Sequence, residues 1–149
     1  MHEGVARSLV IALKFRGFVG LADLMAAQMS ARIRLPPNAT LVAVPSVPAR
    51  RRARGFDPAD RLARALAART GLPYRAALRR IDRTHQVGAG RGERRAAGRV
   101  RFATHGAVPA LAVLVDDVHT TGATLDAAAQ ALRGAGCARV EAVTYARAL

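Results

Sequence analysis

Near the end of the chain, two carboxylates stand beside a loop suited to the opposite kind of ligand. Asp116-Asp117 follow the apolar run Val113-Leu114-Val115, and Thr120-Thr121-Gly122-Ala123-Thr124 come after Val118-His119. Threonine hydroxyls, successive backbone N–H groups and the opening turn of a helix together make a cradle for a phosphate dianion. Gly122 removes the Cβ that would block close approach or a positive φ. Acids repel phosphate, so a ligand that uses both halves of this string must offer hydroxyls to the acids and a phosphate to the loop. A phosphosugar does so, and Mg²⁺ can also sit between Asp116, Asp117 and ligand oxygens. Asp-Asp alone would be explained by an ordinary strand–helix turn. The whole string, in its strand–loop–helix setting, is what points to a ligand.

The elements that must position this string follow from the apolar pattern. Leu111 to Val115 predicts a buried strand that stops at Asp116-Asp117, at the edge where open α/β sheets bind ligands. Ala123 to Leu132 predicts the helix that follows, closed by Gly134 and Gly136. Val140 to Tyr145 predicts a last strand. Upstream, Glu3 to Ile33 is helical in period and broken around Gly17 and Gly20. Leu41 to Val44 predicts a buried strand ended by Pro45. Ser46 to Phe56 predicts a loop rich in Arg and Pro. Asp57-Pro58 opens a helix as N-cap and first residue, and Gly71 and Pro73 end it. Tyr74 to Ile81 and Val100 to Ala103 predict weaker strands. Asp82 to Arg99 shows no apolar period and predicts a long flexible loop. Strands alternating with helices imply an α/β fold with a mainly parallel twisted sheet flanked by helices. The expected organisation is one domain over 1–149, with a helical cap or hood at 1–35, a core at 40–149 and a flexible loop at 82–99.

Composition narrows the class of partner. The 149 residues carry a net charge of +14 and suit one domain. An anionic partner is expected: a phosphorylated metabolite, nucleic acid or an acidic surface. Lys14 is the only lysine, and a coding bias toward Arg explains part of the excess. Such a bias does not explain why Arg gathers at 50–54, 79–83 and 91–101. Arg50, Arg51, Arg52 and Arg54 follow a strand end and suit pyrophosphate or nucleic acid, or else form a solvated loop. Lys14 and Arg16 read first as a solvated helix end favoured by the helix dipole, with a place in the hood over an acceptor as the alternative. With one cysteine, Cys137, the chain holds no internal disulfide and no cysteine zinc site. No apolar run is long enough to span a membrane, and a cytoplasmic location is the expectation. Few aromatics are present to stack bases, so sequence-indifferent binding of single-stranded DNA would have to come from charge.

The string at 113–124 resembles the PRPP-binding signature of type I phosphoribosyltransferases, and the chain as a whole resembles the ComF (competence protein F) family. The resemblance is carried by Ala12-Leu13-Lys14-Phe15-Arg16-Gly17, by Val44-Pro45, Arg51 and Arg54-Gly55-Phe56, and by Gln86-Val87-Gly88, Glu93-Arg94-Arg95-Ala96 and Phe102. Asp116-Asp117 and Thr120-Thr121-Gly122-Ala123-Thr124 complete it. The resemblance implies a type I phosphoribosyltransferase-like fold that binds PRPP with Mg²⁺. Asp116 and Asp117 would bind ribose hydroxyls at the catalytic centre. Thr120, Thr121, Gly122, Ala123 and Thr124 would hold the 5′-phosphate, and Arg51 and Arg54 would face pyrophosphate. Gln86 and Arg94 would belong to the flexible loop. It also implies, as an alternative, a non-catalytic role on DNA in uptake or recombination, and it leaves a homodimer open. The sequence departs from the family at Asp57-Pro58, where Asn-Gln is usual, and at Ala89 and Ala97, where Leu and Asn are usual. It carries no counterpart of the family's four-cysteine zinc ribbon. An acid at Asp57 would repel pyrophosphate if it faced that site.

Overall fold

A computed structural model describes residues 3–16, 19–81 and 100–147. The flexible loop expected at 82–99 lies outside the described residues. Two helices open the chain, α1 (Glu3–Arg16) and α2 (Val19–Ser30). Then come β1 (Thr40–Ala43), α3 (Pro48–Arg54), α4 (Pro58–Thr70), β2 (Leu78–Arg80) and β3 (Phe102–Thr104). The chain ends with β4 (Leu111–His119), α5 (Ala123–Gly134) and β5 (Arg139–Arg147).

β1, β4 and β5 form a parallel sheet with β4 in the centre. Leu41 pairs with Val113 and Val42 with Leu114, while Leu114 also pairs with Ala142. Alternation along β4 divides its side chains between two cores. Val113 and Val115 pack with Leu13, Met25, Leu41, Leu62 and Leu66 on the face covered by α1, α2 and α4. Ala112 and Leu114 pack with Ala128, Leu132, Leu78 and Phe102 on the face covered by α5 and the β2–β3 pair. α4 has a clear apolar stripe, with Leu62 and Leu66 fully buried four residues apart. Burying each such leucine stabilises the fold by about 1.5–3 kcal/mol. Its small residues Ala59 and Ala63 are also buried, and they let α2 and the sheet approach closely.

Three expectations about elements are corrected. The segment 46–56 is not simply a loop, because Pro48–Arg54 forms α3. None of its residues is buried, so no apolar period announced it. Its punctuation did: Pro48 sits in the first turn and Gly55 closes it in the left-handed region at φ +75. β4 does not stop at the acids either. It runs through Asp116 and Asp117 to His119 because β5 continues the ladder, pairing Asp116 with Thr144 and His119 with Arg147. The apolar run marks where the core ends, not where strand pairing ends.

The predicted strand over Tyr74–Ile81 is split. Tyr74 makes a single parallel bridge to Leu41 on the outer side of β1, and only Leu78–Arg80 form a strand. That strand pairs antiparallel with β3, apart from the main sheet.

Candidate functional site

The connections of the sheet single out one crevice. From β1 the chain crosses one face through α4 and returns beside β1 on its outer side, at Tyr74. From β4 it crosses the other face through α5 and returns as β5 on the opposite side. The two crossovers leave the sheet in opposite directions, so a switch point lies between β1 and β4. Open α/β sheets bind ligands there, outside the carboxyl ends of the strands. The Val44 N–H still donates to the Val115 carbonyl at 3.0 Å. Pro45 then turns the first chain away, and β4 continues past it. Residues 45–47 and 116–122 therefore border the crevice.

Asp116 and Asp117 occupy its β4 side at successive strand positions, with their carboxyl groups near enough to interact. Asp117 follows Val113 and Val115 toward the α1 face. There its Oδ2 lies 2.8 Å from Lys14 Nζ. The carboxylate is nearly fully buried. Its Oδ2 is also the one buried side-chain polar atom among the described residues without an aligned hydrogen bond, so the interaction with the ammonium is one of charge. Asp116 follows Ala112 and Leu114, and its Oδ1 accepts the Asp117 N–H at 2.8 Å. Burial, and then the charge of Asp117, push the Asp116 carboxyl up to about 8. Desolvation and a like charge both disfavour the anion. Strongly perturbed carboxyls in a crevice mark candidate functional groups.

The turn after β4 has the features its sequence promised. Gly122 takes φ +83, and a Cβ there would meet the His119 ring nitrogen Nε2 at 3.2 Å. No side chain caps α5 at Gly122. The Thr121 hydroxyl oxygen accepts the Ala123 N–H only at 3.4 Å. Thr120, Thr121 and Ala123 are exposed, and Gly122 and Thr124 half-buried. The turn is thus largely solvent-facing and uncapped at the start of α5, a setting in which helix N-termini bind phosphate.

The turn after β1 differs. Asp57 is buried, and its carboxylate accepts the Ser46 N–H at 2.8 Å, the Ser46 hydroxyl at 3.0 Å and the Ala59 N–H at 3.2 Å. It caps α4 and ties off the loop that holds α3. Facing inward, it does not present the charge to the crevice that its sequence position threatened. Arg51 is exposed on α3, with Arg54 one turn later and half-buried. Gln86 and Arg94 lie outside the described residues.

Lys14 is the residue sequence reasoning placed wrongly. It is not a solvated helix end but the partner of Asp117, brought to the crevice by α1. Only its place in the Ala12–Gly17 motif hinted at this, because no spacing rule links positions 14 and 117.

No family model matches the chain, and no curated protein matches it in sequence. Among solved structures it is similar to the allosteric regulatory enzyme of purine biosynthesis, with a TM-score of 0.52 and 20% identity over 83% of this chain. It also matches an asparagine mutant from a study of an invariant aspartic acid in HPRTs, with a TM-score of 0.41 and 16% identity over 95% of this chain. The chain covers 24% of the first of these proteins and 65% of the second. The fold is that of the type I phosphoribosyltransferases.

Proposed function

We propose that this chain binds PRPP, or a related phosphoribosyl ligand, in the crevice between β1 and β4, and transfers the phosphoribosyl group to an acceptor with release of pyrophosphate. The observation that carries the reading is the meeting, at the switch point, of the Gly122 turn with an acid pair that the fold itself leaves incompletely satisfied. The 5′-phosphate suits the amides and hydroxyls of Thr120–Thr124. The ribose hydroxyls suit the carboxylates at Asp116 and Asp117. The ComF resemblance supports the same assignment, with Arg51 and Arg54 toward the pyrophosphate.

In the reaction, a lone pair of the acceptor forms the new bond to C1 of the ribose as the C1–O bond breaks. The electron pair of that bond leaves with pyrophosphate, and the acceptor gives up its proton. The protein's contribution is to position the ligand and to neutralise the departing charge. Mg²⁺ fits the donors present: hard carboxylate oxygens at Asp116 and Asp117. No cluster of three or more metal-ligating side chains exists among the described residues, so the ion would be held with ligand phosphate oxygens, as Mg²⁺ commonly is. When bound, it supplies positive charge to the pyrophosphate.

Thermal melting with PRPP and Mg²⁺, followed by a screen for pyrophosphate release across bases and amines, tests the reading. A raised melting temperature with PRPP and release with one acceptor class are expected. No shift with PRPP would reject it. A second reading, a non-catalytic binder of single-stranded DNA, is favoured by exposed Arg50, Arg51 and Arg52 on α3. DNA binding that weakens steeply with salt, without any effect of PRPP, would select it.

A further inference from the structure

Lys14 occupies a place that a purely structural ion pair does not explain. It lies in the last turn of α1, where the helix dipole already favours a cation. Its side chain keeps 28% of its surface exposed, while the Asp117 side chain opposite keeps 9%. The pair buries its anion more deeply than its cation. Asp57 shows how this chain satisfies a buried carboxylate where the purpose is structural: three hydrogen bonds from Ser46 and Ala59. Asp117 Oδ2 has the Lys14 ammonium in front of it and no aligned hydrogen bond.

Position adds to this. Thr120–Thr124 lead into α5 on one face of the sheet, whereas Asp117 and Lys14 lie on the other. The end of β4 therefore carries an anion-attracting group on each side. A ligand phosphorylated at one end uses one of them. A ligand phosphorylated at both ends uses both.

Resting on the phosphoribosyl reading, we infer that Lys14 also meets the ligand, held in place by Asp117 beside the ribose, and takes the anomeric pyrophosphate while the Gly122 turn takes the 5′-phosphate. Lys14 then sets the preference for a doubly phosphorylated ribose over a singly phosphorylated one. It also stands where negative charge grows as pyrophosphate leaves. The N-terminal helix is in this way part of the site and not only a cover for the core.

The test is calorimetric titration of the whole chain with PRPP and with ribose 5-phosphate, each with Mg²⁺, read as the ratio of the two affinities. Lys14→Met lowers that ratio by about tenfold or more, the worth of one charge-assisted hydrogen bond, and Lys14→Arg retains most of it. Lys14→Met leaves Asp117 buried without its cation and could unfold the chain, so Lys14→Met with Asp117→Asn is measured beside it. A weaker hold on the ribose at position 117 affects both ligands alike, and the ratio still reports Lys14. An unchanged ratio in a folded variant overturns the inference while PRPP binding itself stands. A wild-type chain that binds neither ligand overturns the phosphoribosyl reading on which it rests.

Discussion

The carboxyl ends of β1 and β4 lie at the same edge of the sheet, and a buried aspartate stands near each, Asp57 in the connection after β1 and Asp117 within the last residues of β4. After β1, Asp57 is closed in by Ser46 and Ala59 and caps α4. At the end of β4, Asp117 faces one ammonium, Asp116 is held near neutrality by burial and by its neighbour, and α5 begins without a side-chain cap. Burial of an acid is common to both strand ends and identifies neither as a site. What separates them is satisfaction. One end has spent its polar groups on itself, and the other has polar groups left over for a ligand.

Breaking the satisfied turn should have the largest effect on stability and the least on the ligand. Asp57→Ala removes three hydrogen bonds to a buried charge and a helix cap. A decrease of about 3 kcal/mol is expected in chemical denaturation, with PRPP affinity unchanged in the folded fraction. A large fall in affinity would show that the two turns are not separable. Gly122→Val comes next. A β-branched side chain at φ +83, against the His119 ring, should cost about 2 kcal/mol and abolish the PRPP-induced rise in melting temperature. Normal ligand binding by a folded Gly122→Val variant would remove the phosphate assignment.

The acid pair should also reveal itself through pH. Asp116 releases its proton near pH 8 in the folded chain, against about 4 when unfolded. Between these values the folded state holds a proton that the unfolded state has lost. Stability without ligand should therefore fall as pH rises from about 4 to about 8, by at most about 1.4 kcal/mol per pH unit. Asp116→Asn should flatten that slope and be the more stable protein at pH 8. An unaltered slope would mean that another group carries it. The smallest effect is expected at a part-buried hydrogen bond between α4 and the segment that follows it. The Tyr74 hydroxyl donates to Asp60, which also accepts from Arg64 Nε at 2.9 Å. Tyr74→Phe keeps the ring under the Arg64 guanidinium and should cost about 1 kcal/mol with no change at the crevice.

Much of this arrangement could be read from local signals. Asp57-Pro58 and Gly71 bounded α4, the apolar run at 111–115 located the central strand, and Thr120–Thr124 described an open turn before a helix. The failures share a cause. α3 has no buried face, so periodicity could not see it. The extension of β4 past Asp117 depends on β5, and the Lys14–Asp117 pair joins residues that only the folded chain brings together. The direction in which Asp57 points was also unreadable: its N-cap role was apparent, but the hydrogen bonds from Ser46 that turn it inward are tertiary.

The central claim is that the leftover acids at the end of β4 serve a sugar phosphate and not merely a basic surface. If polyanions were held only by the net charge of +14, removing negative charge from the acid pair would strengthen their binding. Asp116→Asn with Asp117→Asn, titrated calorimetrically with PRPP and Mg²⁺ and in parallel with single-stranded DNA, sets these cases apart. PRPP binding should weaken by about 3 kcal/mol, the worth of one hydrogen bond to a charged group and one to a neutral group, while DNA binding stays equal or tightens slightly. Unchanged or tighter PRPP binding by the folded double variant would contradict the account.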